Sequence, residues 1–454
     1  MSQMSQMGQT ARNVTDIPDV TLILSGRYLI ASSRSRDVQE QENISVAVAS
    51  DRIVEIGPNL ADKYPQAKCI SHAHGLIMPG LINTHTHAAM ACFRGLADDL
   101  PLMEWLQEHI FPREAQLTAE IVYQSTLLSL CEMIKSGTTS FNDMYLFAKD
   151  VARAAHASGM RAWLGEVVYD FPSPNYGELE NGLRYTEELF DLYAGHELIT
   201  VTVNPHSVYT CSPALLERLA ALAEERDTLY HIHLAENQDE VNTCMERYNC
   251  SPVQHLENLG LLNKRVVAAH GVMLTEEEAF LLARQKVKIA HCPESNMKLA
   301  SGVAPVPAML KQGITVGLGT DGCASNNDVD MFGEMNSAAK MHKVMQMDPT
   351  VMHAAETLHV ATQGGATLLG AEKEIGMLAV GKKADLIMLD MNQPHLTPVY
   401  NPISHLVYAA GGGDVIHSVI NGQVVMQDRQ IITLDEKAII AKMKEIGERV
   451  RNMK

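Results

Sequence analysis

The chain has 454 residues, 46% of them hydrophobic and 20% charged, an ordinary globular composition and too long a chain for one small core. Its formal net charge of −18 argues against a nucleic-acid backbone or an anionic membrane as the main partner. Eight scattered cysteines, none in a Cys-x-x-Cys pair, argue against a disulfide framework and a Cys-type zinc site, and predict free thiols in a reducing cytoplasm.

The first segment, "MSQMSQMGQTARNVTDIP" (1–18), is polar and lacks the apolar core of a secretory signal, so it reads as a loose tail. Residues 19–78 read as strands: "VTLILSG", "YLIAS" and "ISVAVASDRIVEIG" are rich in Val and Ile and broken by Gly, Ser and Asp. That texture returns in "GKKADLIMLD" (381–390) and "VIHSVINGQVVMQDRQII" (415–432). Segments 19–78 and 376–435 are therefore predicted to form one small β-sandwich domain from both chain ends, with His72 and His74 on its surface. Across 79–375, eight short apolar runs alternate with segments of helical period, the signature of βα units around a parallel sheet. They are "GLINTHTH" (80–87), "TTSFND" (138–143), "RAWLGE" (161–166), "ITVTVNPH" (199–206), "LYHIHLAE" (229–236), "RVVAAH" (265–270), "KVKIAH" (286–291) and "ITVGLGTD" (314–321). No Gly-x-Gly-x-x-Gly follows a run, and Gly364 and Gly365 sit in a helical context, so a closed (β/α)8 TIM-type barrel is expected rather than a dinucleotide-binding sheet. The last stretch, 436–454, has the apolar spacing of a terminal helix. No run approaches the roughly 18 apolar residues of a membrane span.

Every run ends in a group that binds metal or moves protons: His85 and His87, Asp143, Glu166, His206, His233 and Glu236, His270, His291, and Asp321. Barrel active sites sit at the C-terminal ends of the strands. One polar strand end needs only solvation to explain it, whereas eight in succession point to a site. Residues i and i+2 of a strand share a face, so His85 and His87 both aim inward, while His231, two residues before His233, is expected to pack inside. Two imidazoles from the first strand, one from the fifth and a carboxylate from the eighth suit Zn²⁺, with Fe²⁺ the alternative, and leave a position open for water. Asp143 and Glu166 read as buried hydrogen-bonding groups, Ser295 and Asn296 as loop-shaping residues, and Asn326 and Asn327 as the turn and cap of the next helix.

"PGLINTHTH", "HLAE" (233–236), "AAHGV" (268–272), "HCPESNMKLASG" (291–302) and "GLGTDG" (317–322) resemble the amidohydrolase superfamily, in particular its 5-methylthioadenosine/S-adenosylhomocysteine deaminases. The resemblance spans nearly the whole chain. It implies one metal per chain held by His85, His87, His233 and Asp321, since "VTVNPHSVYT" has no lysine where binuclear members carry a carboxylated one. It implies Glu236 as the proton-handling carboxylate, His270 as the residue orienting hydroxide, and Trp105, Glu114 and His206 as substrate contacts. The arginines that some members place beyond the third strand have no counterpart in "GMRAWLGEVVYDF". In the implied reaction Glu236 protonates a purine ring nitrogen as hydroxide adds to C6, and Asp321 carries the water's proton to departing ammonia. Glu236 and Asp321 thus also contact substrate. The expected activity is deamination of adenine nucleosides in the cytoplasm, by a homo-oligomer if the common pattern holds. Another ring, such as guanine, 8-oxoguanine or a triazine, is the alternative, and a catalytically silent barrel scaffold the reading from a different class.

Overall fold

The computed structural model describes residues 19–100 and 104–453, so the predicted tail at 1–18 lies outside the described residues. The eight apolar runs become barrel strands β1 (Leu81–His87), β2 (Thr138–Tyr145), β3 (Arg161–Val168), β4 (Ile199–Val201 continued by Asn204–Pro205), β5 (Tyr230–Leu234), β6 (Val266–His270), β7 (Lys288–His291) and β8 (Val316–Leu318 continued by Asp321–Gly322). All neighbours pair in parallel. Ladders run from β1 to β4 and from β5 to β8. Bridges Val203–Tyr230 and Ser207–His233 join the two halves. Asp321 and Gly322 pair with Thr86 and His87 and close the barrel. A glycine is required at this seam: a Cβ on Gly319 would stand 2.8 Å from the His85 backbone nitrogen.

The outer helices start where Ser, Thr or Asn can accept from a backbone N–H of the first turn. Thr118, Ser212, Asn237 and Thr275 cap Ala119–Lys135, Pro213–Glu225, Gln238–Tyr248 and Glu276–Gln285 in this way. Helix Met331–Gln346 is capped by Asp330, not by Asn326 or Asn327 as the sequence suggested. Asn326 instead bonds the Thr320 carbonyl and the Glu334 carboxylate, tying the loop after β8 to that helix.

The β domain is one nine-stranded sheet drawn from both chain ends. Its joint is Gly75–Pro79, which runs parallel to Leu22–Ile30 on one side and antiparallel to Leu386–Asp390 on the other. Alternate residues of Leu22–Ile30 feed different cores: Leu22 and Leu24 pack with Ile44 and Val46, while Ile23 packs with Ala47, Leu60 and Tyr64. A buried ion pair anchors the barrel to this sheet, with Arg161 Nε 2.7 Å from Asp385 Oδ2. Helix Glu436–Arg451 lies along Ala119–Lys135, where Lys135 Nζ meets Glu436 at 2.8 Å. No helix among the described residues is long and apolar enough to cross a membrane.

Candidate active site

β1, β5, β6 and β8 aim side chains from their C-terminal ends at one point. His87 Nε2 lies 3.1 Å from Asp321 Oδ1 and 3.2 Å from His233 Nε2, and His85 Nε2 lies 3.4 Å from the same Asp321 oxygen. In two overlapping groups, His85–His233–His270 and His85–His87–Asp321, one donor atom per residue falls within 4.8 Å of the others.

The tautomers are set from behind. His87 Nδ1 donates to the Met144 carbonyl and His233 Nδ1 to the His206 carbonyl, the latter at 2.8 Å. A carbonyl only accepts, so each ring keeps a proton on Nδ1 and turns its Nε2 inward. The Nε2 atoms of His87 and His233 face each other at 3.2 Å, and His85 Nε2 is buried with no hydrogen-bond partner. A cation held by these three Nε2 atoms would satisfy each of them, so this donor set fits a divalent metal. Burial lowers the pKa of His85 to about 4 and drives that of His233 well down, which keeps these two rings neutral as ligands require, and it lowers His206 in the cleft wall to about 3. His87 moves the other way, to about 9: burial opposes the rise, but the hydrogen bond and charge of Asp321 prevail, so its Nε2 must lose a proton to ligate a metal.

Supporting residues hold the carboxylate and the other strand ends. Ser295 and Ser325 donate to Asp321 Oδ2 at 2.6 and 2.8 Å, leaving Oδ1 to the histidines. Asn296 Oδ1 accepts from His270 Nδ1 at 2.9 Å, which turns His270 Nε2 toward Glu236 Oε2, 4.0 Å away. Ala235, His270 and Asp321 all adopt left-handed backbone, at φ 53°, 74° and 59°. Such conformations persist only where surrounding contacts fix them, and here they turn the chain sharply at three strand ends of the site. At Ala235 the clamp is Glu240, whose buried carboxylate accepts from the Ala235 and Glu236 nitrogens at 3.1 and 2.8 Å. Burial pushes Glu240 up to about 8.

Above the donor cluster opens a cleft of about 780 Å³, solvent at its mouth included, lined among others by Trp105, Glu114, Tyr169, His206 and Glu236. Trp105 and Glu114 come from helical segments Trp105–Ile110 and Phe111–Glu114, which follow β1 and cover the barrel mouth. Glu114 Oε1 accepts from the Tyr145 hydroxyl at 2.7 Å, and burial raises its pKa against that bond. Glu236 keeps 11% of its side chain exposed and His87 12%, whereas His85 shows none, so the first two can be reached from the cleft.

Every predicted site residue is thus at this cluster or in the cleft, and other strand ends are not. Asp143 accepts from the Ala88 nitrogen at 2.7 Å, and Glu166 from the Ala148 nitrogen at 2.8 Å and from Asn175. His291 faces His342, ring nitrogens 3.1 Å apart, away from the cleft. His231 packs behind the cluster, its Nε2 2.9 Å from His85 Nδ1. Reading the sequence missed the supporting roles of Ser295, Asn296, Ser325 and Glu240. Glu240 had a visible signal, the "NQDE" pattern of a capping box, but its carboxylate reaches past the Asn237 cap to the strand end.

The model of the amidohydrolase family matches residues 76–425. The chain belongs to the amidohydrolase family. The 5-methylthioadenosine/S-adenosylhomocysteine deaminase of Syntrophobacter fumaroxidans is 52% identical over 90% of this chain and 93% of its own length. The 5-methylthioadenosine/S-adenosylhomocysteine deaminase 1 of Syntrophus aciditrophicus is 46% identical over 95% of this chain and 97% of its own. Among solved structures, an adenosine deaminase from Xanthomonas campestris with bound zinc superposes with a TM-score of 0.92 at 38% identity, covering 95% of this chain and 99% of that one. As an amidohydrolase with deaminase relatives, the chain is a hydrolase acting on C–N bonds.

Proposed function

We propose that the protein deaminates the adenine ring of 5′-methylthioadenosine and S-adenosylhomocysteine in the cytoplasm, giving the inosine forms and ammonia, with one Zn²⁺ per chain. The observation that carries this reading is the convergence of His85, His87, His233 and Asp321 beneath a cleft that also presents Glu236, Trp105 and Glu114. When bound, the ion acts as a Lewis acid that makes water a nucleophile at neutral pH. His270, with its proton held on Nδ1 by Asn296, offers an Nε2 lone pair that accepts from that water and orients it. Asp321, steadied by two hydroxyls, takes the water's proton as it adds to C6 and later passes it to the leaving ammonia. Glu236 protonates the ring nitrogen beside C6 and regains a proton from the C6 hydroxyl as the C6–N bond breaks and the carbonyl forms. Burial raises its pKa, so the acid form persists to higher pH than in an exposed carboxyl. Glu114 accepts from ribose hydroxyls, Trp105 covers the sugar with apolar surface, and His206 lines the wall beside it. We assign the barrel to 79–375, the β domain to 19–78 and 376–435, and the C-terminal segment carrying helix Glu436–Arg451 to 436–454.

Elemental analysis together with ammonia release across a panel of purines and nucleosides tests the reading. One zinc per chain and preference for the two thio-nucleosides over adenosine and free adenine is the expected result. Preference for guanine, 8-oxoguanine or a triazine would overturn the substrate, and a protein that binds no metal would overturn the chemistry.

A further inference from the structure

Beside the cleft, across the C-terminal ends of β3, β4 and β5, lies a second depression that shares Phe171 and Tyr209 with it. Its remaining walls include Asp170, Ser212, Arg247 and Tyr248. Asp170 follows β3 by two residues, and Arg247 stands near the end of helix Gln238–Tyr248 after β5. The shared wall is aromatic and ordered: Phe171 stacks on Tyr169 with ring centroids 3.9 Å apart, and Tyr209 meets His206 edge-on at 5.9 Å.

Two opposite charges stand in this depression without a partner charge. Arg247 Nη1 donates to the Tyr209 carbonyl at 2.7 Å, and the guanidinium forms no ion pair with any described residue. Asp170 Oδ2 accepts from the Ser212 nitrogen, and Oδ1 accepts from nothing among the described residues. Each head group is therefore fixed by one backbone bond and left with free hydrogen-bonding capacity. Elsewhere on the surface comparable side chains have found each other, as Arg218 has Glu180 at 2.7 Å and Arg265 has Asp227 at 2.7 Å. A ligand group carrying both signs a few bonds apart matches this pair: a carboxylate for the planar fork of the arginine and an ammonium for the aspartate.

We propose that Arg247 and Asp170 form a subsite for the α-amino carboxylate of a nucleoside's 5′ substituent, with Phe171 and Tyr209 as the apolar threshold between that tail and the nucleoside cleft. The proposal rests on adenine nucleosides being the substrates. It assigns the discrimination between a zwitterionic and a methyl 5′ tail to residues outside the donor cluster. S-adenosylhomocysteine carries the zwitterion, and 5′-methylthioadenosine ends in a methyl group at the same sulfur.

The test measures kcat/KM on both nucleosides for the metal-loaded wild type, Arg247→Gln, Arg247→Lys and Asp170→Asn, with calorimetric affinities for their non-reacting inosine products. In Arg247→Gln the preference for S-adenosylhomocysteine over 5′-methylthioadenosine is expected to fall about ten-fold, with a smaller fall in Asp170→Asn and partial recovery in Arg247→Lys; these sizes suit partly solvated charges. A third nucleoside, the amine that lacks the carboxylate, is expected to be insensitive to Arg247→Gln relative to 5′-methylthioadenosine. Equal losses on both nucleosides, or an unaltered preference in all three variants, would overturn the subsite. A wild type that releases ammonia from neither nucleoside would overturn the deaminase reading alone. The product affinities then still decide the subsite, by whether Arg247→Gln removes the advantage of the zwitterionic tail.

Discussion

His72 and His74 have the same spacing as His85 and His87, and the two pairs have opposite fates. His72 and His74 sit in the turn between Lys68–Ser71 and Gly75–Pro79, ring centroids 6.5 Å apart, with Asp390 3.8 Å from His72 as the nearby carboxylate. His85 and His87 end a strand, stand 4.8 Å apart, and are met by His233, His270 and Asp321 from three other strands. The motif is the same. The difference is that a strand gives i and i+2 a common face and a closed barrel brings other strand ends to it, whereas a turn does neither. A third pair, His231 and His233, shows the boundary within one strand: His233 joins the cluster and His231 backs it up.

The sharpest way to break this contrast is to remove one histidine from each pair. His87→Ala is expected to lose most of its metal and on the order of 10³-fold in kcat/KM, as the loss of a metal's activating role demands. His74→Ala is expected to keep both within about two-fold. Elemental analysis and ammonia release read the two variants, and equal behaviour would dissolve the distinction. Two equivalents of metal needed for full wild-type activity would count against a single site.

The contrast sharpens further between groups that hold metal and groups that move protons. Glu236→Gln keeps the size of the side chain but supplies no proton. It is expected to retain metal and lose about 10²–10⁴-fold in turnover, and near wild-type turnover would remove Glu236 from the chemistry. Glu114→Ala is expected to lower kcat/KM for nucleosides by about ten- to a hundred-fold, the worth of a charged hydrogen bond. The loss should be far smaller on a 2′,3′-dideoxy analogue. Equal losses on both would free Glu114 from the ribose.

The smallest effect separates active carboxylates from those that only hold loops. Burial, outweighing the bonds from Ala148 and Asn175, pushes Glu166 up to about 8. A folded pKa raised above the unfolded value means the folded state keeps a proton that the unfolded chain releases. This stabilisation is whole below the ordinary carboxyl range and is lost as pH rises through about 8. Glu166→Gln should flatten the decline in melting temperature between roughly pH 5 and 8 by about 2 °C or more, read by calorimetry. An unchanged slope would place the proton elsewhere.

The barrel was legible because each of its strands is a short apolar run closed by a polar residue, and helical spacing fills the gaps. Strand-end chemistry alone did not single out His85, His87, His233 and Asp321, since Asp143, Glu166 and His291 also end strands and bond the scaffold; the shared face of His85 and His87 and the family resemblance did. What escaped were groups whose role depends on register across strands. Asn296 lies 26 residues from the His270 it orients, and Ser295 lies 26 from the Asp321 it steadies. Spacing along the chain says nothing about either pairing. His291 escaped in the other direction: it ends β7 as its counterparts end their strands, but a buried imidazole on helix Met331–Gln346 occupies it.

Gly75–Pro79 sits between a strand from the start of the chain and one from near its end. During synthesis this strand leaves the ribosome more than 300 residues before Leu386–Asp390, counting from Pro79 to Leu386. Through that interval its outer edge carries unpaired backbone groups. The nascent protein must therefore be kept from pairing that edge with another chain, and the β domain completes only after the whole barrel has emerged.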